Sequence, residues 1–379
     1  DAFDARSFFS AVKPKLRYNL FGATVGGPIR KDKTFFFFNY EGSRRRNGLT
    51  FADTDVPHPA EIRGDFSARR DLRLIDPTSR QQFPNNIIPA GRIDPIAAAF
   101  ARLYPEPNVP TNDVTRAPAN NYLKNVSDSI SQDFYTARVD HAFGERDRAF
   151  VRYSLMKAFS LDASIYPSDF ADSRARRQDN DNTSLLVNWI RNVTPTLINE
   201  ARFNYGNRLN IVRASGTGSN KNREFGLKGV APEAFARVNV TGLTPLGAGS
   251  HERIQTPIYT FQVVDSVTWI RGKHQFKTGF EYRYSKNTDD NNGSTGGSFT
   301  FSDRATGSGL ATMLLGHPGG TLRIQPATAY RGSYQAVFLQ DDWRLSPRLT
   351  VNLGLRYDGA WPRTERYDRI TVFDPSLPS

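Results

Sequence analysis

Residues Tyr334–Asp358 read YQAVFLQDDWRLSPRLTVNLGLRYD and carry the clearest structural signal in the chain. Their second half alternates: the apolar positions are Leu349, Val351, Leu353, Leu355 and Tyr357, and the polar positions are Thr350, Asn352, Gly354, Arg356 and Asp358. Because successive side chains of a strand point to opposite faces, this half predicts a strand with one apolar and one polar face. The Ser346-Pro347 pair before it favours a turn. The stretch therefore predicts a two-stranded antiparallel hairpin with a short connection.

The same unit recurs about five times along the chain. We predict hairpins over residues 17–42, 134–155, 185–207, 259–284 and 334–358. Residues 1–16 read as an irregular lead-in, and the long connection 43–133 has a proline density that forbids a continuous sheet. Within this connection we expect a short helix near 95–104, because Asp94 can cap it and Pro95 fits its first position.

The spacing of strands and connections favours a barrel in a membrane. Short turns and long loops alternate strictly, so every long loop lies at the same end of the strands. The strands read as about 8–12 residues, and about 9–11 tilted residues cross a bilayer core. A soluble β-sandwich would give the same alternation, but aromatic clusters near the strand ends and the one-sided loops favour the membrane. The sequence predicts an all-β, antiparallel transmembrane β-barrel that spans residues 17–379 and has long extracellular loops.

Composition narrows the possible functions. The chain carries a net charge of +12, but its arginines are scattered or loop-bound, as at 44–46, 69–70 and 174–177, so we do not expect nucleic acid as a partner. Cysteine is absent, which excludes disulfides, thiolate metal sites and cysteine nucleophiles. No apolar run approaches the roughly 18 residues of a membrane helix.

Motifs for catalysis are absent from the sequence. No two of the five histidines have metal-ligand spacing, and there is no nucleophile elbow or P-loop. The clusters 179–183 and 289–293 hold carboxylate and amide oxygens that could chelate calcium, although solvated loop tips are the simpler interpretation. We therefore expect neither enzymatic activity nor a cofactor.

Ten polar strand residues lie opposite the apolar positions, and we expect them to face the barrel lumen. They are Arg138, Asp140, Arg152, Glu200, Arg202, Lys277, Glu281, Arg283, Asn352 and Arg356. Half-buried charges need partners, so these side chains could pair with each other across neighbouring strands or with a domain inside the lumen. Alternatively, they form a mildly basic path for anionic ligands.

Five segments, in this order, resemble the TonB-dependent outer-membrane receptors, specifically the Oar-like branch. The segments are LFGATVGGPIRKDKTFFFFNYEG (20–42), FPNNIIPAGRIDPIAAAFARLYPEPN (83–108), YTARVDHAF (135–143), GKHQFKTGFEYR (272–283) and FLQDDWRLSPRLTVNLGLRYD (338–358). The resemblance implies a barrel of about 22 strands in a Gram-negative outer membrane. It also implies an upstream plug domain in the lumen and energy coupling through TonB.

The chain departs from this family pattern by omission. About ten strands are legible, and neither a plug nor a TonB-contacting segment is recognisable, so we expect an internal fragment that covers the first half of the barrel. The leading function is a gated transporter or receptor for a large or scarce extracellular ligand, with outer-membrane lipid and TonB as partners. Export of a protein or peptide is a second possibility, and a surface adhesin or structural barrel is a third. A plug encoded upstream would separate a transporter from an adhesin.

Overall fold

A computed structural model describes residues 15–110, 112–248, 253–323 and 326–370. Most of the predicted lead-in 1–16 and the tail from residue 371 lie outside the described residues. Eleven strands form one sheet, and ten of them follow a continuous antiparallel path. These ten are β1 (Leu16–Arg30), β2 (Thr34–Thr54), β3 (Tyr122–Ala142), β4 (Asp147–Asp162), β5 (Arg176–Thr194), β6 (Leu197–Ala214), β8 (Arg253–Arg271), β9 (His274–Asn292), β12 (Thr328–Ser346) and β13 (Leu349–Ala360). The eleventh, β14 (Thr364–Glu365), pairs with β12.

The predicted fold class is confirmed. Each strand pairs antiparallel with its neighbour, and short turns join the strands at one end while long connections join them at the other. The sheet is open: within the described residues β1 pairs only with β2, and β13 pairs only with β12. An open sheet of this kind is part of a larger barrel, because a complete barrel closes on itself and has no edges.

The strands are longer than the sequence predicted, at 12 to 21 residues. On the outward face of β8 the apolar positions run from Trp269 to Tyr259, interrupted by Asp265, and for a tilted strand this span corresponds to a height of about 25 Å across the membrane. Beyond this band apolar and polar side chains are mixed, as with Ile254, Gln255 and Thr256, so the alternation disappears although backbone pairing continues. The sequence signal for a strand therefore stops near the edge of the membrane while the strand itself does not.

Three expectations are corrected by this extension. The predicted connection 43–133 is shorter and spans 55–121, because β2 and β3 continue on either side of it. The arginines at 44–46, predicted to be loop-bound, lie within β2. The acidic clusters that were interpreted as loop tips lie in β5 and at the end of β9.

The long connections are folded together, whereas the sequence predicted irregular loops with one helix. Their helices are α1 (Pro59–Ile62), α2 (Pro95–Ala101), α3 (Lys221–Glu224) and α4 (Gly309–Leu314), with short 3₁₀ turns at Pro84–Asn86, Ala90–Arg92 and Asp169–Ala171. Their strands are β7 (Arg237–Val240), β10 (Ser294–Phe301) and β11 (Gly319–Arg323), which form a separate sheet in the order β11-β10-β7. We call this body, formed by residues 55–121, 163–175, 215–248 and 293–323, the cap.

One hydrophobic core holds the cap together. Phe66, Leu74, Ile165, Leu246 and Leu314 come from all four connections and are buried in a single cluster. Helix α2 lies inside the predicted range 95–104, and the Asp94 carboxylate accepts a hydrogen bond from the backbone N–H of Ala97 at 2.8 Å. The cap therefore has the buried apolar core of a small folded domain, although its sequence is divided among four loops.

Candidate functional site

The strand register places all ten predicted lumen residues on one face of the sheet, which we call the polar wall. Asp140, Arg202, Glu281 and Asp358 lie at the same level on different strands, connected through successive cross-strand partners. Arg152 on β4 pairs directly with Arg138 in the strand register, and the other predicted residues lie two, four or six residues away along the same strands, so all of them share this face. The strand register thus places these side chains on one face, while their orientation toward a lumen and their role remain a prediction.

Four arginines of the polar wall are paired with carboxylates on their own strand. Each pair spans two residues: Arg138–Asp140, Arg202–Glu200 and Arg283–Glu281 are each 2.6 Å apart, and Arg356–Asp358 are 3.0 Å apart. Arg356 also lies 3.7 Å from Glu281 on another strand. Most of the wall charge is therefore neutralised locally, which favours pairing over a continuous basic path.

Two predicted cations stand apart from these pairs. Arg152 is exposed on β4 opposite Arg138, and Lys277 is exposed on β9; within the described chain neither has a carboxylate within 4 Å. Asn352 is exposed on the same face of β13. These three side chains are the free polar groups of the predicted set.

A recess lies against the polar wall at the level of the charged pairs. It measures about 450 Å³ and is lined by Phe150, Asn188, Arg202, Asn204 and Gln262, among others. Asn188 donates a hydrogen bond to Glu200 at 2.8 Å, and Gln262 donates one to Glu281 at 2.8 Å. The recess thus combines an aromatic ring with fixed charged and amide groups.

Amide side chains cover the wall nearer the cap. In the sequence, Asn182 and Asn291 stand out only as parts of the clusters 179–183 and 289–293, and none of these amides was placed on the wall, because uncharged polar residues give no specific motif. Gln178 donates to Asn210 at 2.9 Å and Ser184 to Asn204 at 3.3 Å. Four buried amide oxygens on this face have no protein partner in the part of the chain that the structure describes; they belong to Asn182, Asn188, Asn287 and Asn291. Such oxygens are positioned to accept hydrogen bonds from water or from a polar solute.

The opposite face of the sheet is apolar and exposed. Leu353 is 55% exposed, Leu355 81% and Tyr357 73%, and each alternates with a residue of the polar wall. A contiguous apolar surface of this extent requires a nonaqueous environment or a partner. Lipid is the environment that satisfies it in a barrel.

The cap lies beyond the apolar band of the sheet, and ion pairs as well as its hydrophobic core stabilise it. Arg69 bridges Glu61 at 2.9 Å and Asp71 at 2.7 Å. Asp76 accepts hydrogen bonds from the Arg92 guanidinium and from the backbone N–H of Thr78, and these bonds hold the pKa of its carboxyl well below the usual range. A cap cavity of about 240 Å³, lined mainly by apolar side chains of α2, α4, β7 and β10, opens beside Lys228.

Metal and helical-membrane features are absent from the described residues. No three His, Asp or Glu side chains there are grouped to hold a metal ion. Within the same residues, none of the helices has the length and apolar character needed to cross a bilayer.

An open antiparallel sheet with one exposed apolar face and one polar face defines a membrane β-barrel. Residues 1–379 match the family model described as an outer membrane beta barrel domain. The chain belongs to this family, and it lies in the outer membrane of a Gram-negative cell. A search of curated proteins returned no match.

Solved structures give the same fold. The chain is similar to the outer membrane transporter YddB from Escherichia coli, with 10% identity and a TM-score of 0.52, over 92% of this chain and 35% of that one. It also matches the copper transporter OprC (12% identity, TM-score 0.39, 92% and 37% covered) and a mutant of the ferric enterobactin receptor PfeA from Pseudomonas aeruginosa (9% identity, TM-score 0.35, 91% and 40% covered). The chain thus spans well under half the length of these proteins.

Proposed function

We propose that this chain is the first part of the barrel of a TonB-dependent transporter that imports a large or scarce polar solute. The polar wall, with its free cations and unpartnered amide oxygens, lines the translocation path. The observation that carries the proposal is the contrast between the two faces of one sheet: the outer face is apolar and exposed, and the inner face is polar and lined by a recess. Transport needs such a polar lumen, whereas a purely structural barrel does not.

The energy source belongs to the same proposal. The barrel sequence holds no catalytic motif, so we propose that the energy for transport comes from outside this domain. The resemblance of residues 20–42 and 338–358 to TonB-dependent receptors supports coupling to TonB through a plug encoded upstream. Export of a protein or peptide through the same lumen is the alternative direction, which the Oar-like resemblance leaves open.

An adhesin is the second candidate function, and the cap is the observation that favours it. The four connections form a folded body with its own core outside the membrane band, and such a body can present a fixed binding surface. In this case the barrel would only anchor the cap, and ligand would bind at the cell surface without entering.

Uptake by intact cells separates these functions. Cells with and without the full-length protein, and with and without TonB, are grown in a complex medium, and depletion of individual solutes is followed by mass spectrometry. A transporter predicts at least one solute whose depletion requires both the protein and TonB. TonB-independent retention of a solute on the cell surface would support the adhesin, and secretion of a protein or peptide that requires the full-length protein would support export.

Variants of the polar wall then test the path. Arg152→Gln combined with Lys277→Gln removes the two free cations, and we expect it to reduce uptake of anionic solutes only. Arg202→Gln is the control, because it removes a paired cation and leaves the Glu200 carboxylate with only the Asn188 amide as a partner. We expect this control to lower thermal stability and uptake of all solutes alike. Uniform loss in both variants would mean that the wall charges are structural.

A further inference from the structure

Positive charge is concentrated at the short turns, in a set of segments that we call the turn rim: residues 29–33, 143–148, 191–196, 270–273 and 344–348. It holds ten cationic residues: Arg30, Lys31, Lys33, Arg146, Arg148, Arg191, Arg271, Lys273, Arg344 and Arg348. Only three carboxylates accompany them, those of Asp32, Glu145 and Asp147. The turn rim therefore carries a net excess of seven positive charges, more than half of the +12 of the whole chain.

These cations are exposed and almost all unpaired. All ten are exposed to solvent. Within the described residues only Arg191 has a carboxylate within 4 Å, that of Asp147 at 3.8 Å. The Arg271 guanidinium lies over the Trp269 ring, 5.2 Å from its centroid, which leaves its charge unneutralised. The turn rim thus holds far more cations than carboxylates, and nine of its ten cations have no carboxylate within 4 Å in the described residues.

The cap end of the same strands is different. There, several arginines are paired with carboxylates: Arg44 lies 2.8 Å from Asp133, and Arg177 lies 2.8 Å from Asp179. Arg253 lies 2.5 Å from Asp290. Other cations of this end, such as Arg208 and Arg213 on β6, have no carboxylate within 4 Å in the described residues, so the turn rim differs from it in having almost no ion pairs.

Apolar and aromatic side chains lie beside the cations. Ile29 is 64% exposed and Phe143 66%, both within the turn rim. Just above it, on the lipid face, the His274 ring stacks between Phe276 at 5.5 Å and Trp343 at 5.3 Å. Aromatic rings of this kind mark the depth of the lipid headgroups in a barrel, so the cations lie at or just beyond that depth.

We propose that the turn rim binds the anionic headgroups of phospholipids in the leaflet next to the short turns. An anionic headgroup supplies the counterion that the protein lacks there, and the neighbouring apolar side chains enter the acyl region. Long Lys and Arg side chains reach along an apolar surface to the headgroup plane. Each cation near a negatively charged membrane surface is attracted to it at ordinary salt, so several together give a clear preference for anionic lipid.

The test measures lipid preference on the full-length protein. The protein is reconstituted in phosphatidylcholine bilayers, and brominated phosphatidylglycerol or brominated phosphatidylcholine is titrated while tryptophan fluorescence quenching is recorded. Trp189, Trp269 and Trp343 lie in the aromatic belt beside the turn rim and report binding there. We expect phosphatidylglycerol to bind at least about fivefold more tightly, and the preference to fall as salt is raised.

Two charge-matched variants decide the interpretation. The rim variant combines Arg271→Gln, Lys273→Gln, Arg344→Gln and Arg348→Gln; the cap variant combines Arg70→Gln, Arg73→Gln, Arg80→Gln and Arg102→Gln, four exposed arginines of the cap. We expect the rim variant to lose most of the preference and the cap variant to keep it. Heat-modifiable gel mobility shows that each variant is folded.

A third variant tests whether positive charge or the geometry of the guanidinium group determines the lipid preference. It also keeps the test valid if the rim variant fails to fold. It replaces Arg271, Arg344 and Arg348 by Lys and should retain the preference. Equal binding of both lipids by the unaltered protein would overturn the proposal, and so would equal loss in the rim and cap variants. Loss of preference in the Lys variant would also overturn it, because the site would then depend on guanidinium geometry, as expected for an acidic protein partner.

Discussion

At the residue scale, the fold depends on strict alternation between two environments. Leu353 and Asn352 are adjacent in the chain, yet one lies on the exposed apolar face and the other on the polar wall. Sequence alone was sufficient to separate them, because the period of two is a direct consequence of strand geometry. It did not give the ion-pair partners. The expected pairing was between strands, whereas Arg138 and Arg202 pair with carboxylates two residues away on their own strands, where side chains on one face lie about 7 Å apart.

Substitution of these two neighbours tests the faces. Leu353→Arg places a charge in lipid and should cost about 2–4 kcal/mol near the bilayer midplane. Asn352→Arg places the same charge on the polar wall and should have a small effect. Folding yields of the two full-length variants in lipid vesicles give the comparison, and equal yields would contradict the assignment of the faces.

At the element scale, the strands were predictable inside the membrane and unpredictable outside it. Alternation of side chains identified all five hairpins, because side chains that face lipid are apolar and side chains that face a lumen are polar. Past Tyr259 or Tyr284 the apolar and polar side chains no longer alternate, and no pattern in the side chains indicates that the ladder continues. The cap was missed for a related reason: its core is assembled from four separate connections, so no single segment contains the periodicity of a domain.

Removal of one core side chain should loosen the cap without affecting the barrel. Phe66 is fully buried in the cap core, and Phe66→Ala should cost about 3–5 kcal/mol. We expect faster proteolysis within residues 55–121 and unchanged heat-modifiable mobility of the barrel. Phe143→Ala, at an exposed position in a short turn, is the control and should leave proteolysis of the cap unchanged.

Acid should weaken the turn between residues 76 and 92 of the cap. The pKa of Asp76 lies below its usual value because Arg92 and the Thr78 N–H stabilise the carboxylate. Its contribution to stability is complete above the ordinary aspartate pKa of about 3.9 and is lost as the pH falls through the lower folded value. Pepsin cleavage of this turn should therefore increase with acidification. Asp76→Asn should flatten this dependence, and Glu106→Gln, an exposed site in the same cap, should not.

At the scale of the whole molecule, the open sheet leaves two strand edges whose backbone groups need partners in the membrane. Strands β1 and β13 form the two ends of the pairing path, and each has backbone groups along one side that the described residues do not pair. Lipid offers no partners for such groups. Strand order was predictable because hairpins pair in sequence, but closure was not, because it depends on which strands meet the two edges.

Residues 1–379 in isolation should be unable to form a stable barrel in lipid, because the edge strands β1 and β13 would lack pairing partners. We expect the isolated chain to aggregate or to stay protease-sensitive with lipid vesicles, while the full-length protein inserts under the same conditions. A protease-resistant monomer with heat-modifiable mobility would instead show that ten strands can close into a self-sufficient barrel.

The shared core of the cap also limits how these loops can diverge. Phe66, Ile165, Leu246 and Leu314 come from four different connections and belong to one buried cluster, so a change in the volume of one connection's core side chains affects packing against the others. Loops with independent cores can be exchanged singly between related barrels. Here a transplanted loop would leave its partners around a void, and a functional chimera would require that all four connections be moved as a set.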